Sequence, residues 1–346
     1  MSEQKQEKAQ EPVQAEYRNL GKSGLRVSVP ILGGMTFGSE KWSEAQGLAL
    51  LNAAYAHGIT TIDTANAYSN GASESLIGTF LSQPHIPRAE ITILTKILNL
   101  VPPDPAVFAA LQPGLHDTRA YVNQGGLSRA AIFTQVDGCL ARLRTAYVDV
   151  LQVHAWDERT PLEETVRALH EVVVQGKARY LGACNLRAWQ VAEMNALAER
   201  RGWTKLVCVQ VEHSLLYRPY EAEVFEYAAY AGLGVLAYSP LLDGHLARPS
   251  SSAPTARARL IAGTPFEKTR RASDLEIIRR VEETARRRGW TMAQVALAWS
   301  GTKVVSPIVG ANSPERLAEC VTTGKTLTAE EIKYLEEPYE FQPTRF

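Results

Sequence analysis

Eight short apolar runs rich in β-branched residues recur along the chain, beginning near residues 29, 61, 91, 148, 178, 207, 234 and 304, with helical patterns in the intervals between them. Runs of this length bounded by Gly and Pro read as buried strands. Strands that alternate with helices pair in parallel, because each crossover returns the chain to the same end of the sheet. Eight such units close on themselves as an α/β fold, the (β/α)8 TIM barrel, whose chemistry sits in the loops at the carboxyl ends of the strands. Ahead of the first barrel strand, Tyr17 to Val27 alternates around Gly21 and Gly24 and reads as an N-terminal β-hairpin. Helices are expected over Ser43 to His57, Ser73 to Leu81 and Leu162 to Gln175, with Ser73, Ser273 and Thr291 as N-caps. Leu275, Ile278, Val281 and Ala285 mark the core-facing side of the helix that starts at Ser273.

At 346 residues the chain could hold two ordinary domains, but the eight alternating units use it as one. Residues 17–346 therefore read as a single barrel domain, and the Gln- and Glu-rich residues 1–16 as a disordered tail. Lys plus Arg and Asp plus Glu each number 37, so the net charge is zero, which argues against a nucleic-acid partner or a membrane surface. The one block of like charge, Arg286-Arg287-Arg288, reads as the solvated end of a helix. No apolar run reaches the length of a membrane span. Cys139, Cys184, Cys208 and Cys320 are scattered in apolar contexts without metal-ligand spacing, which reads as buried reduced thiols, no metal and a cytoplasmic location.

The strand ends carry the functional signal. Gly58-Ile59-Thr60-Thr61-Ile62 delivers Asp63, with Tyr68 about one turn further on; Ala89 to Thr95 delivers Lys96; and Tyr147 to Val153 delivers His154. A phenol is a weak acid with a pKa of about 10, so it needs a neighbouring cation, itself held by a carboxylate, to stabilise its ionised form. Asp63, Tyr68, Lys96 and His154 supply those groups. In residue type and order they resemble the catalytic tetrad of the aldo-keto reductase family, and the resemblance runs from about Tyr17 to the C-terminus.

That resemblance implies the same barrel, a hairpin plugging its bottom, and reduction of a small-molecule carbonyl with NADP(H), Tyr68 giving the proton and His154 orienting the oxygen. It places Met35, in the turn after Gly33-Gly34, beside the nicotinamide, and assigns the carboxamide to Asn185 and Gln210. The family usually has Ser where Cys184 stands, and a thiol is the poorer donor. Tyr238 would stack on the nicotinamide, with Ser239, Pro240, Leu241 and Gly244 lining the pyrophosphate side. Gly310, Asn312, Arg316 and Glu319 would meet the adenosine end, together with arginines of the loop after the seventh strand, Arg248, Arg257 and Arg259. A guanidinium suits the 2'-phosphate that distinguishes NADP from NAD, and Arg316 is the expected partner.

Two connections, Lys96 to Ser128 and Leu241 to Ser273, are far longer than a simple crossover and leave from the face that bears these residues. With the pattern Tyr121 to Ser128 they are most similar to the aryl-alcohol-dehydrogenase-like branch, which includes pathway enzymes acting on bulky natural-product carbonyls. Two other functions suit the same residues: a cofactor-holding regulatory subunit, and a non-redox dehydration or isomerisation that uses Tyr68 and Lys96 as acid and base. Oligomeric state is open at this level.

Overall fold

The computed structural model describes residues 13–345 apart from 39–42 and scattered positions within 105–113 and 254–269. Strands β3 (Ile31–Gly33), β4 (Thr61–Asp63), β5 (Thr92–Ile97), β6 (Val148–Val153), β7 (Ala178–Cys184), β8 (Leu206–Glu212), β9 (Gly234–Tyr238) and β10 (Ser306–Val309) pair in parallel. They follow the closed order β10-β3-β4-β5-β6-β7-β8-β9, so the expected (β/α)8 barrel is the fold. Strands enclosed on both faces have no polar side to alternate with, which is why they read in sequence as continuous apolar runs.

Two cores result. Leu94, Val150, Cys208, Leu236 and Ile308 fill the barrel interior, where Leu20 and Val27 of the hairpin join them from below. That hairpin pairs β1 (Glu16–Asn19) with β2 (Arg26–Val29). Its tip is fixed by Lys22 N donating to Gly232 O, ahead of β9, and Ser28 N donates to Thr61 Oγ1 where β4 begins. All of these anchors lie at the amino ends of the strands, so the hairpin closes the bottom of the barrel. The second core lies between the sheet and the helices α1 (Glu44–Ala56), α2 (Ala72–Leu81), α3 (Arg129–Leu143), α4 (Leu162–Val174), α5 (Ala188–Arg201), α6 (Val224–Ala231), α7 (Ala272–Arg288) and α8 (Met292–Lys303). The short α9 (Pro314–Glu319) and α10 (Ala329–Glu336) complete the chain.

Several local expectations need correction. Ser73 is not the cap of α2: Gly71, with φ 88°, takes that position, while Ser73 is fully buried inside the helix, donates to Gly34 O and accepts from Thr64 Oγ1. Glu74 does stand in the first turn of α2, where it is buried and bonded to Arg142 and Thr95. Ser273 likewise lies inside α7, bonded to Glu340, and Arg271 is the cap. On α7 the buried stripe is Ile277, Ile278, Val281 and Ala285, whereas Leu275 is exposed. Thr291 caps α8 with a reciprocal bond to Gln294, as its sequence suggests.

The 1–12 part of the expected tail lies outside the described residues. Residues 13–16 are tied to the body instead: Ala15 N donates to His57 O, Thr323 Oγ1 to Gln14 O, and Glu16 begins β1. At the other end, the segment after α10 returns across the carboxyl end of β8. There Arg218 N donates to Tyr339 Oη, and Arg345 pairs with Glu212 at 2.6 Å.

Candidate active site

Four expected residues meet at the carboxyl ends of β4, β5 and β6. Lys96 Nζ lies 2.6 Å from Asp63 Oδ2, 2.9 Å from Thr64 O and 3.3 Å from Tyr68 Oη, so one ammonium spends its three protons on a carboxylate, a carbonyl and a phenol. The register explains the meeting: Asp63 pairs with Leu94, so the side chain of Lys96, two residues on, points into the barrel from the same layer. The His154 ring stands edge-on to that of Tyr68 with centroids 5.8 Å apart.

The other oxygen of Asp63 is occupied as well. Gln210 Nε2 donates to Oδ1 at 2.7 Å, and Gln152 Nε2 does so at 3.3 Å. Gln210, expected at the nicotinamide carboxamide, thus has its amide nitrogen turned into the barrel and is almost fully buried; its oxygen faces Cys184 Sγ at 3.8 Å. Gln152 was not singled out by the sequence. Its only signal is a polar residue near the end of a buried strand, where a polar group must find a partner.

Burial and charge act in opposite directions on these groups. For Tyr68, burial outweighs the Lys96 ammonium and pushes the phenol up to about 12, so it stays protonated at ordinary pH. Burial also works against the Lys96 charge, but Asp63 beside it wins and holds the ammonium above its usual range. His154 is pulled down to about 3 by burial, with Lys96 adding to the effect, so its imidazole is neutral. The cluster is therefore an ion pair, a protonated phenol and a neutral imidazole.

Around the rim, the other expected residues follow β7 through β3. Asn185 directly follows β7 and Ser239 directly follows β9; both have left-handed backbones, φ 57° and 54°, an uncommon and strained choice for residues other than Gly. Tyr238 Oη donates to Asn185 Oδ1 at 3.0 Å, and Asn185 Nδ2 reaches His154 O at 3.4 Å. Pro240 and Leu241 continue into a turn that includes Gly244, φ 89°, packed against Thr255. Met35, in the turn after β3, is 45% exposed. Gly33 and Gly34 allow a close approach, but of protein to protein: a Cβ on Gly34 would come within 2.9 Å of Ser73 Oγ. Gly310, Asn312, Arg316 and Glu319 lie exposed at the end of β10 and along α9. Arg257 lies outside the described residues. All four cysteines are buried and free.

Residues 31–340 match the aldo/keto reductase family. The chain belongs to that family. As an aldo-keto reductase it is 44% identical to the aldo-keto reductase AFTS1 of Alternaria alternata, over 95% of this chain and 93% of the relative. It is 43% identical to the versiconal hemiacetal acetate reductase of Aspergillus parasiticus, over 94% and 97%. It is also 41% identical to a putative aryl-alcohol dehydrogenase of Schizosaccharomyces pombe, over 93% and 95%. Family membership makes it an oxidoreductase suited to a small-molecule carbonyl. Among the described residues, no helix is long and apolar enough to cross a membrane.

Proposed function

We propose that this aldo-keto reductase uses NADPH to reduce an aldehyde or ketone to the alcohol, with Tyr68 as the proton donor. The observation that carries the proposal is the single ammonium of Lys96 shared between Asp63 Oδ2 and Tyr68 Oη. When bound, the reduced nicotinamide supplies a hydride to the carbonyl carbon. The protein's part is then to give a proton to the oxygen, which becomes alkoxide as the hydride arrives. Tyr68 is protonated and 3.3 Å from a cation that stabilises the phenolate it leaves behind. Proton donation by a placed acid contributes about 100- to 10,000-fold. His154, neutral and beside the phenol, orients the oxygen by hydrogen bonding.

The residues present fit a dinucleotide. Asn185 and Tyr238 face one another at the mouth, the space beside Gly310 is open, and Arg316 is exposed with no ion pair among the described residues. Asn185 and the Tyr238 ring would hold the nicotinamide, Ser239 to Leu241 the pyrophosphate, and Asn312, Arg316 and Glu319 the adenosine end. Arg316 is the reason to favour NADPH. The relatives support a bulky natural-product carbonyl as substrate, since one is named for reduction of versiconal hemiacetal acetate. Long connections after β5 and β9 and the small Ala155 after His154 are consistent with a roomy pocket.

The test is to supply NADPH or NADH with a panel of aromatic aldehydes and bulky ketones, following cofactor oxidation and product mass together. The expected result is one alcohol formed per NADPH consumed. A product formed without cofactor consumption would overturn the redox reading in favour of dehydration or isomerisation.

A further inference from the structure

We propose that Asn99, a residue with no assigned role, is a positioning residue that fixes the tautomer of His154, keeping the ring proton on Nε2. Asn99 Nδ2 lies 3.3 Å from His154 Nδ1. A neutral imidazole carries one N–H, and a ring nitrogen that accepts from an amide must be the unprotonated one, so the proton resides on the other. Because burial keeps His154 neutral, the ring has no second proton to offer and the choice between nitrogens decides whether it can donate to a substrate oxygen.

The surroundings hold this contact in place. Asn66 Nδ2 donates to Asn99 O at 2.9 Å, while Asn66 N donates to Lys96 O at 3.0 Å. One residue earlier, Leu98 N donates to Gln135 Oε1 at 2.8 Å, and Leu98 O accepts from Gly126 N at 2.7 Å. Gln135 Nε2 in turn donates to Gly126 O at 2.8 Å. On the histidine side, His154 N donates to Ile97 O at 2.9 Å, which staples the end of β6 to that of β5. Donor and acceptor are thus carried by two backbones bonded to each other, and the one bearing Asn99 is pinned on both sides. Six polar groups of three residues, Asn66, Gln135 and Gly126, are thus spent on the segment Lys96 to Asn99 and on one another. Ordering of this kind is what a site needs when an angle matters.

The inference rests on the proposed function only in giving the Nε2 proton a use, as the bond to the carbonyl oxygen. Its test does not. The chain has seven histidines, so 15N labelling of histidine, with His154→Asn to identify the signal, reads both ring nitrogens of His154 directly. The expected result is an unprotonated Nδ1 and a protonated Nε2 in the parent protein. In Asn99→Asp, whose carboxylate only accepts, Nδ1 becomes protonated; in Asn99→Leu the two tautomers mix. A protonated Nδ1 in the parent, or an Nδ1 still bare in Asn99→Asp, would overturn the assignment. Kinetics separate this from the reading of the site. If Nε2 loses its proton in Asn99→Asp, kcat should fall at least about tenfold with cofactor affinity unchanged, at the low end of what a placed proton donor contributes. An undiminished kcat with Nε2 bare would leave the tautomer assignment standing and remove His154 from the carbonyl.

Discussion

The two arcs of the barrel rim are built on opposite principles. Along β4, β5 and β6, Asp63, Lys96 and Gln152 are buried and saturated with hydrogen bonds to one another and to Gln210. Along β10 and α9, Asn312, Arg316 and Glu319 stand exposed, and the Gly310 position faces open space. The first arc is organised by the protein alone; the second is a surface that a ligand would organise. Chemistry that depends on an angle and a proton belongs on the former, and recognition of a charged, separable cofactor on the latter.

If that contrast is right, substitutions in the two arcs should differ in kind. The largest effect is expected at Lys96→Met, which removes the cation beside Tyr68. Turnover should fall by about 100-fold or more, and the phenol, already raised by burial, should ionise at still higher pH. A kcat within a few-fold of the parent would mean the ammonium is not what readies the phenol. Asp63→Ala should damage folding as well, since a buried ammonium left without its carboxylate costs about 3–5 kcal/mol. Chemical denaturation measures it, and a loss under about 1 kcal/mol would show that Thr64 O and water suffice.

A smaller effect concerns acidity. His154 is held neutral down to about pH 3, whereas in the unfolded chain imidazole takes up a proton near pH 6.5. The unfolded state therefore binds more protons between those values, and stability is lost as pH falls through that window. From pH 7 to 5 the loss from His154 should be about 1–2 kcal/mol, allowing for the edge of the ring that faces water. His154→Asn should flatten the denaturation profile by that amount; an unchanged slope would show that the histidine is not desolvated. The smallest effect belongs to the open arc. NADPH should be preferred over NADH by at least about tenfold in kcat/KM, roughly 1.4 kcal/mol, and Arg316→Ala should shrink that ratio with little change in stability. Equal use of both cofactors by the parent would show that the guanidinium does not meet the phosphate.

The same division separates what was legible in the sequence from what was not. Strand ends are written locally: a β-branched run followed by Asp63, Lys96 or His154 puts those groups on one rim once eight runs are counted. The hairpin was legible for a like reason, as alternation around Gly21 and Gly24, whereas its place as a plug came only with the family resemblance. Partners across strands are not written that way. Nothing near Gln152 or Asn99 in the chain announces Asp63 or His154, because those contacts arise only when the sheet closes. Ser73 and Ser273 looked like caps by residue type, yet tertiary acceptors, Gly34 O and the Glu340 carboxylate, drew them into the helices. Leu275 was preferred to Ile277 because a stripe drawn from apolar residues alone fits either phase, and only the packed neighbours choose.

The most direct test of the account is Tyr68→Phe, measured twice: by single-turnover reduction of an accepted aldehyde, and by NADPH titration. Removing one hydroxyl from the saturated arc should abolish most of the reduction, by about 100- to 10,000-fold, while NADPH binds the open arc with its affinity intact. A variant that keeps most of its turnover, or that loses cofactor affinity and turnover together, would contradict it.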